Sequence, residues 1–404
     1  LTFMELMNNM MSMRFTVFFV FSLILVSCYQ TSHKEKERIV VKKPEQTAKR
    51  DTVIKKTSII NPQNNIAAIL SGVNEAENPL NHLFDSSAWG ENRDFINKSW
   101  VKLQSSRLDP IEKWSKKELT GASKNCRTVF YPFSGPDFIT ANSFFPSGNE
   151  LVMLGLEPIG SLPEIDKFSN EEAKDYCNDF KKSLTDIFQK SYFITAYMLR
   201  DFQKQKVNGL LPVLSFFIKK TNHTILKINY LVKYNNDSIG EVDYNSKLKP
   251  FGVKIRCSKN DSIKTVYYFK YDVSNKQFND TCAFYKFIDK HTLNSVTYIK
   301  SASYLLHANF MSNMKKLILK NSNYVLEDDT GIPYNDIAKA KNWEIKLYGK
   351  YTQPVKDFPY LKMQTGILEA FQKDSASIPD VPFHLGYHWQ SKKDLLIYAT
   401  KKNK

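Results

Sequence analysis

Two groups of acids stand beside predicted turns at strand ends: Asp137 and Glu157 with Ser134, and Asp328 and Asp329 with Thr330. Paired carboxylates can divide general-acid and general-base roles, as in glycoside hydrolysis, where they stand ~5–9.5 Å apart. Strand ends beside loops are where such side chains reach a ligand. Each group also has a structural reading, which is the first expectation. Asp137 follows Ser134-Gly135-Pro136 and is placed to cap a helix. Asp329-Thr330-Gly331 suits a turn, since Asp and Gly accept turn geometry.

The histidines offer less. His384 and His388 are four apart, a metal spacing on a helix. On the strand predicted for 383–388 they would lie ~13 Å apart by strand rise, too far for one metal. His307 falls beside an apolar face and is expected to be buried and hydrogen-bonded. Phe383, Tyr387 and Trp389 could stack on sugar rings, but packing is the commoner use of such residues. GxSxG, HExxH, GxGxxG and GxxxxGK[ST] are all missing, and there is no CxxC pair. The hydrolases, zinc proteases and nucleotide binders that announce themselves locally are therefore not indicated. No cofactor and no metal are expected, and whether the chain is an enzyme stays open.

The elements that position these groups follow from turn residues and apolar periods. A strand at 128–133, the Ser134-Gly135-Pro136 turn, a short helix from Asp137 and a strand at 150–156 form one unit. Ser169-Asn170-Glu171-Glu172 opens a long helix carrying Ala173, Tyr176, Cys177, Phe180, Leu184, Ile187 and Phe188 at helical spacing, continuing toward Phe202. A helix at 210–220 follows, then a strand from 223. Ser258-Lys259-Asn260-Asp261 joins two runs as a hairpin. Val296–Ile299 and 324–326 read as strands, 303–321 as a helix, 343–348 as a strand and 358–373 as a helix. A strand pair at 383–388 and 394–399 closes the chain. The expectation is a mixed α/β (α+β) fold, with long helices on a partly antiparallel sheet of unassigned topology.

The N-terminal segment concerns location. Arg14 precedes twelve largely apolar residues, FTVFFVFSLILV, then Ser27 and Cys28. Such a run suits a signal h-region and is short of the ~20 residues of a membrane span. Leu25-Val26-Ser27-Cys28 resembles the lipobox of bacterial lipoproteins. The resemblance implies a signal peptide over 1–27 and lipidation (palmitate among the acyl groups) at Cys28; the methionines before the apolar run place the expected translation start at Met11 or Met13. Tyr29 after the cysteine implies delivery to the outer membrane, facing the periplasm or the cell surface. Residues 28–58 read as a flexible basic tether; 29–58 hold nine Lys and Arg against four Asp and Glu and little apolar surface. Residues 59–404 are the globular α/β region, with 59–222 and 223–404 as candidate packed halves.

The formal net charge is +16, but only eight of the 57 basic residues are Arg. Nucleic-acid readers favour Arg, and here Lys is spread along the chain, so no nucleic-acid partner is expected. Cys126, Cys177, Cys257 and Cys282 could form two disulfides in an oxidising compartment, with 126–177 and 257–282 preferred, or remain four buried thiols. YPFSGPDF … LEPIGSLP, followed later by LEDDTGIPY, resembles a group of uncharacterised lipoproteins from Bacteroidota-type bacteria. That resemblance supports the address and implies no reaction. The expected function is a lipid-anchored envelope module that binds a partner protein or a glycan. The alternative is an envelope polymer hydrolase using Asp137, Glu157, Asp328 and Asp329.

Overall fold

Along β1 (Thr128–Tyr131) successive side chains leave the sheet on opposite faces, as strand pleating requires. Val129 and Tyr131 enter an apolar layer shared with helices of the first half of the chain, and Phe130 enters a second layer on the other face. Met153 and Val152 split the same way in β2 (Glu150–Gly155), as do Tyr298 and Ile299 in β7 (Ser295–Ile299). A sheet that is apolar on both faces must be covered on both. The computed structural model accordingly has a sheet between two helical layers, a mixed α/β fold within one compact unit. It describes residues 61–402 apart from 191, 194–205, 236, 356, 357, 359, 362, 363, 374 and 389–393.

The other strands are β3 (Thr224–Lys233), β4 (Ile239–Asp243), β5 (Gly252–Lys259), β6 (Ser262–Lys270), β8 (Ser322–Glu327), β9 (Trp343–Gly349) and β10 (Leu395–Lys401). Their order is β4-β3-β5-β6-β2-β1-β7-β8-β10-β9. The five central strands, β6-β2-β1-β7-β8, are parallel, and the flanks are antiparallel. The chain passes from β1 to β2 on one side, and from β7 to β8 on the other. Connections leaving β1 and β7 therefore diverge, which makes that pair of strands the topological switch point. In open α/β sheets, ligands bind outside the carboxyl ends of the strands at such a point.

Local chemistry explains several boundaries. Helix α1 is Pro62–Leu70; α2 (Ser87–Leu103) and α3 (Asp109–Glu118) flank a π-helical turn, Gln104–Leu108; α4 is Thr120–Asn125. The short helix α5 (Phe138–Phe144) begins where Asp137 accepts the Thr140 N–H. Helix α6 (Asn170–Lys190) starts at a capping box: Ser169 Oγ accepts from Glu172 N–H, and the Glu172 carboxylate accepts from Ser169 N–H. The segment expected to continue it includes 194–205, outside the described residues. Helix α7 is Leu211–Lys220. The β5–β6 hairpin turns at Asn260 and Asp261, both with positive φ (48° and 61°), a two-residue turn matched to strand twist.

Two expectations are corrected. The helix at 303–321 does not begin at 303, because Ser303 and Tyr304 have φ of 51° and 55°. No right-handed helix accommodates those angles, so short 3₁₀ turns at Leu305–His307 and Asn309–Met311 precede α9 (Ser312–Asn321). His307 thus closes a turn. Residues 383–388 form no strand: Gly386 has φ 63° and opens a 3₁₀ turn, and β10 pairs with β8 and β9 instead. Trp389 and Cys28 lie outside the described residues.

Of the two readings given for the cysteines, two disulfides or four thiols, the structure has the thiols. Cys126, Cys177, Cys257 and Cys282 are free thiols. Cys257 faces the layer of first-half helices, whereas Cys282, which caps α8 (Ala283–His291), packs against the opposite layer with the sheet between them. Cys126 neighbours Tyr398 on β10, whereas Cys177 adjoins Tyr176, which interacts with Tyr244 just beyond β4 on the other flank. Burial pushes the thiols up, Cys126 to about 11 and Cys177 and Cys257 to about 12, so they behave as small inert hydrophobes.

Candidate functional site

The turn after β1 is held to β2 by Ser134, whose N–H donates to Leu154 O at 2.8 Å. Its hydroxyl lies within hydrogen-bond range of Leu154 O (3.1 Å) and Gly135 O (3.0 Å), so Ser134 is committed to the turn. Phe133 (φ 61°) and Gly135 (φ 51°) give the turn its reversal, and Pro136 delivers Asp137 to the start of α5. The Asp137 carboxylate then serves two purposes. It caps α5, and it accepts hydrogen bonds from Tyr131 Oη (3.0 Å) and from Lys300 Nζ (2.5 Å). Lys300 is the residue immediately after β7. Asp137 and Lys300, each 2 % exposed, therefore form an ion pair across the switch point.

The loop after β8 builds on the same end of the sheet. Asp328 accepts from Ser301 N–H (2.9 Å) and from Thr330 N–H (3.0 Å) and Oγ1 (2.5 Å), and Thr330 Oγ1 accepts from Ala302 N–H. These bonds fix the loop after β7, where Ser301, Ser303 and Tyr304 all have positive φ. Consecutive residues held in that region are over-determined by their surroundings and mark functional sites more often than ordinary turns. A Cβ on Gly386 would stand 2.7 Å from Asp328 Oδ2, so glycine there lets the last loop close over the carboxylate. Asp329 accepts from Tyr304 Oη at 2.6 Å and pairs with His388 Nε2 at 3.1 Å. His384 pairs with Asp394 at 2.7 Å.

The electrostatics follow from burial. Lys300 lies below its ordinary value because burial outweighs the pull of Asp137. Asp328, buried and beside the charge of Asp329, is raised to about 6. Arg107, on the π-helical turn, is lowered to about 10 by burial despite the attraction of Asp137 and Asp394; its guanidinium donates to Ile187 O at 2.8 Å. Burial alone would lower His388, but its bond to Asp329 and the nearby acids raise it overall. Asp137 and Asp328 both act on Lys300, so the two acid groups of the sequence meet at one end of the sheet.

Asp328 and His388 carry a pH dependence. A carboxyl raised in the folded state keeps a proton that the unfolded chain has lost, so stability falls as pH rises from about 4 to about 6. A raised histidine contributes stability below about 6.5 that is lost as pH passes through its folded value. Buried His223, lowered to about 4, works in the opposite direction between pH 4 and 6.5, and Glu327, raised by burial, adds to the fall. The test is therefore a difference: in urea unfolding at pH 4 to 8, Asp328→Asn should lack a falling contribution to the slope between pH 4 and 6. An unchanged slope in the variant would remove Asp328 as its source.

Glu157 stands at the end of β2, on the β6 side of the turn after β1. Its Oε2 accepts from Tyr268 Oη (2.9 Å) and Leu156 N–H (3.1 Å). The loop that carries it docks on the start of α7 through Leu210 N–H to Pro158 O and Leu211 N–H to Ile159 O, both 2.9 Å.

All four acids proposed from the sequence thus lie at the carboxyl ends of parallel strands. Asp137 is a cap as expected and an ion-pair partner as well. Lys300, Arg107, Tyr304 and the His388–Asp329 pair were not anticipated. Lys300 had one legible signal, a charge ending the apolar run Val296–Ile299. Among the described residues, no group of three or more His, Cys, Asp or Glu is arranged to hold a metal ion. Surface concavities of about 550 Å³ beside Asp109, Lys113 and Lys117, and about 710 Å³ beside Asn229, Glu241 and Ser246, involve none of these groups. No protein-family model, no curated protein and no solved structure matches the chain.

Proposed function

We propose that the protein is a lipid-anchored cell-envelope protein whose α/β unit is a binding module for a glycan or another hydroxyl-rich ligand. The observation that carries the binding site is the buried Asp137–Lys300 pair, which joins the residues after β1 and β7 where the connections diverge. Buried charges at such a point are held ready for a polar ligand, since they already carry the desolvation cost of binding. A second reading, hydrolysis of an envelope polymer, is favoured by Asp328, which burial and the charge of Asp329 hold at about 6, a value suited to a general acid.

The anchor rests on Leu25-Val26-Ser27-Cys28 and the basic tether that follows. No described helix is long and apolar enough to cross a membrane. Attachment through acyl chains would come from about 0.8 kcal/mol per buried methylene. Cys28→Ala should move the protein from the membrane fraction to the soluble fraction, while both forms retain the same envelope glycan fragments in a pull-down. Tight retention of the variant by membranes removes the anchor, and failure of both forms to retain glycan removes the glycan reading.

A further inference from the structure

The short turn at 386–388 lies across the loops that follow β7 and β8, and its two ends are held differently. Leu385 is the fixed end: its side chain is buried in the core, and its N–H donates to Asp394 at 2.6 Å. Gly386 (φ 63°) then turns the chain against Asp328. Beyond this hinge the contacts are polar. Tyr387 Oη donates to Ser301 O at 2.8 Å and stands 2.9 Å from Ser303 Oγ, in the loop that starts at Lys300. His388 Nε2 meets Asp329 Oδ1 at 3.1 Å, with the histidine 12 % exposed and the acid fully buried. The free end of the turn is thus fastened through an ionisable bond.

The charges around that bond decide when it holds. Three acids act on His388: Asp329 and Asp328 after β8, and Asp394 ahead of β10. Asp329 also takes the Tyr304 hydroxyl and acts on Tyr351. Arg107 faces Asp137 and Asp394, and Lys300 faces Asp137 and Asp328. His384 pairs with Asp394, but its side chain is 52 % exposed, so that pair contributes little. With both ring nitrogens protonated, His388 carries a cation onto the acids; once neutral, it leaves Asp328 and Asp329 together and the bond loses its charge assistance. We propose that residues 386–388 are a pH-sensitive strap, hinged at Gly386, which closes over the carboxyl ends of β7 and β8 while His388 is a cation and is released when it becomes neutral. That release admits ligand rests on the reading of these strand ends as the ligand site. The sign follows from the surroundings: burial lowers His388, but the Asp329 bond and the nearby acids outweigh it. The closed strap therefore binds more protons than the released one and is lost as pH rises through the folded value.

Hydrogen–deuterium exchange of the intact protein from about pH 7 to 9, corrected for the intrinsic rate at each pH, reads the strap itself. Over this range Asp328, at about 6, is already largely ionised. Protection should fall about tenfold in 386–388 and at Ser301 and Ala302, whose N–H groups donate to Asp328 and Thr330 beneath the strap. The amides of β1 and β3 should change far less. Those strands also report any effect on the whole fold from Lys220 and Lys264, which burial lowers to about 8. His388→Gln keeps a donor for Asp329 without the charge and should abolish the pH dependence, whereas His384→Gln should preserve it. Constant protection in the unaltered protein, or a fall shared equally by β1 and β3, overturns the strap whatever the variants do. Calorimetry with envelope glycan fragments then follows entry: a tenfold rise in the released fraction should tighten binding about tenfold at the higher pH. Release with no change in affinity overturns the control of entry. If protection falls as predicted but no glycan fragment binds at either pH, the strap stands and the glycan reading falls.

Discussion

Lys300→Met should lower the unfolding free energy by about 3–5 kcal/mol, the usual cost of leaving one member of a buried ion pair behind. The whole penalty falls on Asp137, which is 2 % exposed and would lose its 2.5 Å partner while still capping α5. Removing both charges should be milder. Asp137→Asn keeps an oxygen for the Thr140 N–H, so the double variant should recover much of the single variant's loss. Chemical denaturation of the four members of this cycle gives the coupling directly. Additive losses would mean that the pair is not coupled and that Lys300 is held by its other surroundings.

Gly160→Ala is the second large effect expected. The backbones of two loops cross at Gly160 and Gly209, whose φ values are 69° and 73°. A Cβ on Gly160 would fall 1.7 Å from Asn208 O, a backbone atom with no room to yield. Left-handed geometry alone costs a non-glycine residue about 1–3 kcal/mol. Parting the loops also endangers the Ser161 N–H to Asn208 O bond and those that dock Pro158 and Ile159 on α7. A loss of about 3 kcal/mol or more is expected, with weaker ligand binding because Glu157 belongs to the same loop. Gly121→Ala is the control: its Cβ would meet only the Tyr324 side chain, at 3.3 Å, and the change should stay within about 1 kcal/mol.

Much of the local structure was legible because its causes are local. Asp137 as a cap, the Ser169–Glu172 start of α6 and the Asn260-Asp261 hairpin each depend on residues within a few positions of one another. The mixed α/β class followed from the change of apolar period along the chain. The helix expected at 303–321 failed for an instructive reason. Leu306, Met314, Leu317 and Ile318 are buried as a helical stripe would be, yet 3₁₀ turns bury Leu306 equally well and the positive φ angles leave no mark on the apolar pattern.

The site was legible only in part because its pairings are distant. Asp137 and Lys300 are 163 residues apart, and Asp329 and His388 are 59 apart. Lys300 is one of 49 lysines and has no local motif. What selects it is strand order, which depends on register between segments and not on composition. The choice between disulfides and thiols was not legible for a similar reason, since compartment and even number say nothing about which face of the sheet a thiol occupies.

The central claim is that ligand binds at the carboxyl ends of β1, β2 and β7. Hydrogen–deuterium exchange tests it most directly, with and without saturating envelope glycan fragments. Slowed exchange is predicted in 131–137, 156–160 and 300–304, with little change in the β5–β6 hairpin. Slowing confined to the surface around Lys113 and Lys117, or around Asn229 and Glu241, would contradict the account and move the binding surface off the switch point.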